Sequence, residues 1–421
     1  MTTGSQVGAV AGNSRAGVLH ELLDRPLTSF HLVRGVSALL LALGLFMVLS
    51  ASSVESYYDT GSSYAVFLRQ AQWVLIGLPA AWVASRIPLR VVRRLSTLGL
   101  LVSVVLLVLT YVPGLGIEVN GNRNWLSAGP LRLQPSELAK LTLALWLAHV
   151  YATKGASVRR WRHLLLPMAP VAVVVTGLVV GQNDLGTALV LFAIVLGMVW
   201  VIGAPARVFG AGVVTVGGLA IFLASLNESR VSRLTNFTDP FSAYDTTGWQ
   251  AAHGFFALAN GGWWGVGLGA STQKWEGKLP EAHNDFIYAI IGEELGLFGT
   301  LVVLVLFGLL AYVGFRIAGR ATDRFSTFAA AGITIWLTTQ ALINIGMVLG
   351  LLPVIGIPLP LVSYGGSALL PALIALGLLV NIAKTEPGAK AAWRAQHQQG
   401  FAKRWGLTRS PAPTRGRPRG R

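Results

Sequence analysis

The stretch LPEAHNDFIYAIIGEELG, residues 279–296, places Glu281, His283 and Asp285 just ahead of an apolar run and Glu293 and Glu294 inside it. A carboxylate at such a boundary can take a proton from an attacking hydroxyl, the work of a general base. It can also accept from the free N–H groups of the helix that follows, and on spacing alone capping is the simpler reading for Asp285. Glu293 and Glu294 lie about 12–13 Å deeper at 1.5 Å per residue. Two adjacent carboxylates at that depth require protonation, a cation or water, and Lys140 is the expected partner for one of them.

Three further stretches carry polar groups where apolar runs begin. In VNGNRNWLSAGPLRLQPSELAK (119–140), Asn120-Gly121 signals a tight turn, and Arg123 and Trp125 follow it. The planar guanidinium of Arg123 suits a phosphate, although a lone loop arginine is more often simply solvated. Gln134 precedes Pro135-Ser136, which opens a helix. Glu137 and Lys140 then share one face at i, i+3, either as a local ion pair or as part of a polar cavity. In GQNDLGTA (181–188), Asp184 is placed to cap the next helix, or else to pair with Lys140 or a substrate. In NIGMVLGLLPVIGIPLPLVSYGGSALL (344–370), Pro353, Pro358 and Pro360 break the helix. The backbone of Ser363-Tyr364-Gly365-Gly366-Ser367 then stands at a helix start, where free N–H groups favour an anion such as a diphosphate. A plain helix start is the alternative.

The elements that must position these groups are membrane helices. Of 421 residues, 53% are apolar and only 12% charged, and the mean hydropathy is +0.61. That balance excludes an ordinary soluble domain and predicts an all-α polytopic membrane protein. Ten runs are long enough to span, near 35–54, 66–86, 95–114, 136–152, 163–182, 185–203, 206–225, 286–315, 327–352 and 364–383. The even-numbered loops hold the basic residues, among them Arg86, Arg90, Arg93 and Arg94, then Lys154, Arg159, Arg160 and Arg162, then Arg316, Arg320 and Arg324. By the positive-inside rule both termini are cytoplasmic. The net charge of +16 sits in these loops and at the ends, which fits membrane orientation and not nucleic acid.

The domain reading is a cytoplasmic extension over 1–34, one membrane domain over 35–384 and a basic, disordered tail over 385–421. The tail, ending RSPAPTRGRPRGR, is suited to anionic lipid or to a cytosolic partner. The long outer loop 226–284, between the seventh and eighth spans, holds GWQAAHGFFALANGGWWGVGLG and is expected to lie against the membrane as a helix or re-entrant segment. There is no cysteine, hence no disulfide.

The motifs LPEAHNDFIYAIIGEELG, QPSELAK, NGNRNWL, QNDLGTA, GGWWGVGLG and PLPLVSYGGS resemble the signature segments of the SEDS proteins (shape, elongation, division, sporulation), over about 35–385. Pro280-Glu281-Ala282-His283 and LSASSVESY look more like the division branch than the elongation branch. The resemblance implies a peptidoglycan glycosyltransferase of the bacterial cell membrane, acting at the division septum on lipid II. It further implies a class B penicillin-binding transpeptidase and other division membrane proteins as partners, with a cytosolic division protein as one candidate for the tail. The family's essential outer-loop aspartate matches Asp285, its helix-four Glu and Lys match Glu137 and Lys140, and its loop glutamine matches Gln250. Where relatives commonly carry Thr beside the aspartate, this chain has Asn284.

The implied chemistry is attack by a sugar 4-hydroxyl on an anomeric carbon with a polyprenyl diphosphate leaving. A general base contributes about 10²–10⁴-fold, and a diphosphate leaves without an acid, so one carboxylate suffices. Glycosidases, by contrast, set two across the bond. Arg123, Lys274, Lys278 and the Tyr364-Gly365-Gly366 backbone are candidates to hold the diphosphate, and a divalent cation (Mg or Mn) is left open. The competing readings are a lipid II flippase, an elongation-type polymerase, and a scaffold that recruits the transpeptidase.

Overall fold

The computed structural model describes residues 25–393 apart from 120, 129–130, 156–160, 227 and 276. Of the tail expected to be disordered over 385–421, residues 385–393 are ordered instead, with Glu386 buried against Arg320 at 3.4 Å and Ala389 buried; the rest of it, most of the N-terminal extension, Asn120, Arg159 and Arg160 lie outside the described residues. Each of the ten apolar runs holds a helix of at least 15 residues. These are α1 (Thr28–Thr60), α2 (Ala65–Ala84), α3 (Leu89–Leu109), α4 (Pro135–Lys154), α5 (Trp161–Gly181), α6 (Leu185–Val201) and α7 (Ala206–Ser225). After two short helices, α8 (Glu228–Asn236) and α9 (Trp249–Gly261), come α10 (Ile287–Arg320), α11 (Arg324–Val348) and α12 (Leu369–Ala383).

Seven helices among the described residues are long and apolar enough to cross a membrane. The others fall short for visible reasons. The α6 helix has only 17 residues, α4 carries Glu137, Lys140 and Lys154, and α2 carries Arg69, Gln70 and Gln72. The molecule is a multi-pass membrane protein. Its interior is formed by α11 packed against α4, α6 and α10, with α12 against α2 and α3 against α4. The α7 helix is the most peripheral, with one buried residue, Ala224.

Three departures from the expected helices matter for the site. First, α1 begins at residue 28, not 35, and runs on to Gly61, whose φ of 73° closes it in the left-handed conformation natural to glycine. Its 33 residues make about 50 Å, some 20 Å beyond a hydrocarbon core of about 30 Å, so its far end reaches the polar loops. Second, the segment after α3 is a small antiparallel sheet, β1 (Gly116–Val119), β2 (Asn122–Ala128) and β3 (Leu131–Leu133), in that spatial order. Gly121, at φ 76°, supplies the turn between β1 and β2, as the Asn-Gly pair predicts. Third, α10 breaks at Gly296 (φ 69°, ψ −165°), where a side chain would strike the Trp263 and Gly265 backbone. The segment expected to lie against the membrane forms α9 and the loop 262–269. It knits to that break: Val266 and Gly267 N–H donate to the Glu293 and Glu294 carbonyls at 2.9 and 3.1 Å, and Leu297 N–H to Gly262 O at 2.9 Å. The chain between α11 and α12 is irregular over 349–365, as its prolines dictate, with a short 3₁₀ turn over Gly366–Ala368.

Candidate active site

Asp285 ends the irregular loop that leads into α10. It does not cap that helix: the cap position is Phe286, and no side chain accepts there. Among the described residues no donor pairs with the partly buried Asp285 carboxylate; only its main-chain carbonyl is bonded, by Asn344 Nδ2 at 2.8 Å. Burial pushes the carboxyl up to about 7. The Glu281 and Asp184 charges add to the rise, and His283 opposes it. Gly356, at φ 76°, faces the carboxylate closely, since a Cβ there would stand 3.3 Å from Asp285 Oδ2.

The residues beside Asp285 are tied down. His283 Nδ1 lies 3.1 Å from Glu55 Oε2 on the protruding end of α1, and the His283 ring sits 5.5 Å from that of Tyr364. Glu281, itself at φ 56°, accepts from the Asn284 side chain. Ser363 Oγ donates to Asn284 O at 2.6 Å and accepts from Leu359 N–H at 2.8 Å. Tyr364 N–H donates to His283 O at 2.9 Å. Two members of the expected anion cradle, Ser363 and Tyr364 N–H, are thus engaged in holding the Asp285 loop. Ser367 Oγ accepts from Gln134 N–H at 2.9 Å, fastening the start of α4 to the start of α12. Gly365 and Gly366 lie between, the latter at φ 48° beside Trp73.

Asp184 caps α6, accepting from Thr187 N–H at 2.9 Å, and also takes Asn124 Nδ2 at 2.9 Å and Gln134 Nε2 at 3.2 Å. It thereby joins the sheet, α4 and α6, and its partner is not Lys140. Arg123 N–H donates to Gln182 O at 3.2 Å and Trp125 pairs with Ile117 across the sheet, so the sheet is fixed to the α5–α6 turn. Lys140 pairs with Glu137 at 2.8 Å and with Gln340 Oε1 at 2.7 Å, while Gln340 Nε2 reaches Pro358 O at 3.0 Å. This buried trio braces the broken stretch. A narrow cavity lies beside it, lined in part by Glu137, Trp336, Gln340, Pro358 and Gly365.

The expected pairing of Lys140 with Glu293 or Glu294 does not form, because a nearer lysine serves. Lys274 Nζ lies 3.2 Å from Glu294 Oε1 and donates to Gly269 O at 2.7 Å, and both side chains are buried. Glu294 also accepts from Ser50 Oγ of α1 at 2.7 Å. Glu293 accepts from Thr272 Oγ1 at 2.8 Å, Ser271 Oγ at 2.5 Å and Asn260 Nδ2 at 3.3 Å. Lys274 is therefore engaged away from Asp285. Lys278 and Gln250 are half-buried on the loop and on α9; the Lys278 carbonyl accepts from Trp249 Nε1 at 2.6 Å, and the Lys278 N–H donates to Trp275 O at 3.2 Å.

Sequence reasoning passed over two cations. Tyr364 is pushed up by burial against the opposing pull of Arg69, which hydrogen-bonds its phenol, and of Arg132. Both arginines are exposed beside the Asp285 loop's partner. The signal existed for Arg69, an arginine one turn into an apolar run. Among the described residues no group of three or more His, Cys, Asp or Glu side chains is placed to hold a metal ion.

Fold and site together define a multi-pass membrane protein in which the Asp285 carboxylate, just ahead of α10, has no paired donor among the described residues. A model of the cell cycle proteins that groups FtsW, RodA and SpoVE matches residues 30–387. The chain belongs to this family. A probable peptidoglycan glycosyltransferase FtsW of Mycobacterium tuberculosis is 47% identical over 373 residues, 89% of this chain and 71% of that protein. Its counterpart in Thioalkalivibrio sulfidiphilus is 41% identical over 348 residues, 82% of this chain and 86% of that one. Among solved structures, a chain of a peptidoglycan synthase complex that coordinates polymerization and crosslinking superposes with a TM-score of 0.70 at 30% identity, covering 84% of this chain and 96% of that one. The rod shape determining protein RodA of Thermus thermophilus gives 0.62 at 28% identity, covering 84% and 96%.

Proposed function

We propose that this protein is a peptidoglycan glycosyltransferase that polymerises lipid II into β1–4 glycan strands, with Asp285 as the general base. The acceptor 4-hydroxyl attacks the anomeric carbon of the donor, its proton passes to the Asp285 carboxylate, and the C1–O bond to the polyprenyl diphosphate breaks. Attack in line inverts the α-linked donor to a β product. The diphosphate leaves unprotonated toward cationic groups, for which Arg69, Arg132 and Arg123 are the candidates. The single observation that carries the reading is the Asp285 carboxyl, without a donor among the described residues and pushed up to about 7, where a base both exists deprotonated and can hold a proton.

The similarity to relatives named FtsW supports septal cell-wall synthesis as the setting, and the synthase-complex neighbour supports a penicillin-binding transpeptidase as partner. The catalytic unit is the membrane domain 35–384, with the polar end outward and both termini cytoplasmic. The test is polymerisation by full-length protein purified with its transpeptidase and supplied with lipid II, compared with Asp285→Asn. Strands from wild type and none from the variant support the reading. Lipid II headgroup transfer in liposomes without polymerisation replaces it with a flippase.

A further inference from the structure

The loop that carries Asp285 is held by its main chain. Three successive carbonyls, of His283, Asn284 and Asp285, accept from Tyr364 N–H at 2.9 Å, Ser363 Oγ at 2.6 Å and Asn344 Nδ2 at 2.8 Å. The first two donors belong to the broken stretch, but Asn344 comes from within α11 and is fully buried. Its amide also donates to Ile357 O at 2.7 Å. Ile357 follows Gly356, the residue whose backbone faces the Asp285 carboxylate. One amide group thus fixes the acid's own peptide and the chain opposite its carboxylate at the same time. Asn344 Oδ1 has no donor among the described residues, a desolvation cost borne while both hydrogens are committed.

We infer that Asn344 is a positioning residue for the transfer reaction, aiming the Asp285 carboxylate relative to the Gly356–Ile357 backbone without itself touching substrate. This rests on the base role proposed for Asp285. A leucine keeps the branched heavy-atom skeleton, with bulkier methyl groups in place of the amide oxygen and nitrogen, and removes both donors. An aspartate keeps the shape, removes the donors and adds a negative charge near Asp285.

The experiment measures initial polymerisation rates of Asn344→Leu and Asn344→Asp proteins, full length and with the transpeptidase partner, across lipid II concentration and pH. Folded fraction is followed by gel filtration and thermal melting. For Asn344→Leu we expect kcat per folded molecule to fall roughly 10²-fold, the scale of a misplacement near 1 Å, with KM little changed. For Asn344→Asp we expect the acid limb of the pH–rate profile to move to higher pH, and this variant carries the test alone if Asn344→Leu does not fold. A loss that follows only the folded fraction, with kcat, KM and pH profile otherwise those of wild type, overturns the inference. Asp285→Asn, run alongside, separates two failures. If it polymerises normally, the base role falls and this inference with it; if it is inactive while folded Asn344→Leu is normal, this inference alone falls.

Discussion

Two groups of carboxylates stand fewer than ten residues apart and have opposite surroundings. Glu293 and Glu294 are surrounded by donors: Ser50, Asn260, Ser271, Thr272 and the Lys274 ammonium. Asp285 has none among the described residues, only a buried setting and two other acids whose charge reaches it. A carboxylate given several donors ties together the elements that supply them. One denied donors keeps a proton affinity near neutrality and can exchange that proton with a substrate. The charges inside α10 therefore clamp a broken helix to its loop, and the charge just before it is the one that the proposed mechanism uses as its base.

That contrast can be broken from either side. The largest effect is expected at the clamp: Lys274→Met leaves Glu294 buried without its cation, and breaking such a pair costs about 3–5 kcal/mol. Thermal melting in detergent should show a large drop, with activity per folded molecule retained. A folded, equally stable but inactive Lys274→Met protein would move Lys274 into the reaction.

At Asp285 the expected signature is pH. Only the deprotonated carboxylate can accept the hydroxyl proton, so with its carboxyl near 7 the rate should rise about tenfold per pH unit below that value and level off above it. The same rise has a stability cost of defined sign. A carboxyl that holds its proton more tightly folded than unfolded stabilises the fold at low pH and loses that contribution as pH rises through about 7. Melting temperatures of Asp285→Asn above pH 7 should therefore be no lower than those of wild type. A clear drop would assign Asp285 to structure.

Smaller effects separate the two acids near Asp285. Asp184→Ala removes the α6 cap and should cost about 0.5–2 kcal/mol in melting, with the site otherwise working. Glu281→Gln removes the larger of the two charges that raise Asp285, so its acid limb should move modestly to lower pH with little change in stability. An unmoved limb would show that burial alone sets the proton affinity.

Much of this was legible in the sequence. The long helices follow from apolar length, the break between α11 and α12 from Pro353, Pro358 and Pro360, and the Asp184 cap from an acid directly before an apolar run. Asp285 was legible as one of two readings, base or cap, and the cap position at Phe286 removes the second. What was hidden is long-range. Lys140 and Lys274 are equally plausible partners for Glu294 until α9 and its loop fold back, because pairing across 20 or 150 residues leaves no local spacing signal. Asn344 reads as one polar residue in an apolar helix, and only the converging loop reveals what its amide holds. The sheet over 116–133 was masked by its brevity, its strands being 3 to 7 residues long.

The most direct measurement is glycan polymerisation by Asp285→Asn beside wild type and Glu294→Gln, each purified full length with the transpeptidase partner and corrected for folded fraction. We expect no strands from Asp285→Asn at unchanged folding, and strands from whatever Glu294→Gln protein folds. Glycan of wild-type length from folded Asp285→Asn would contradict the division of labour between the unpaired acid and the clamped ones.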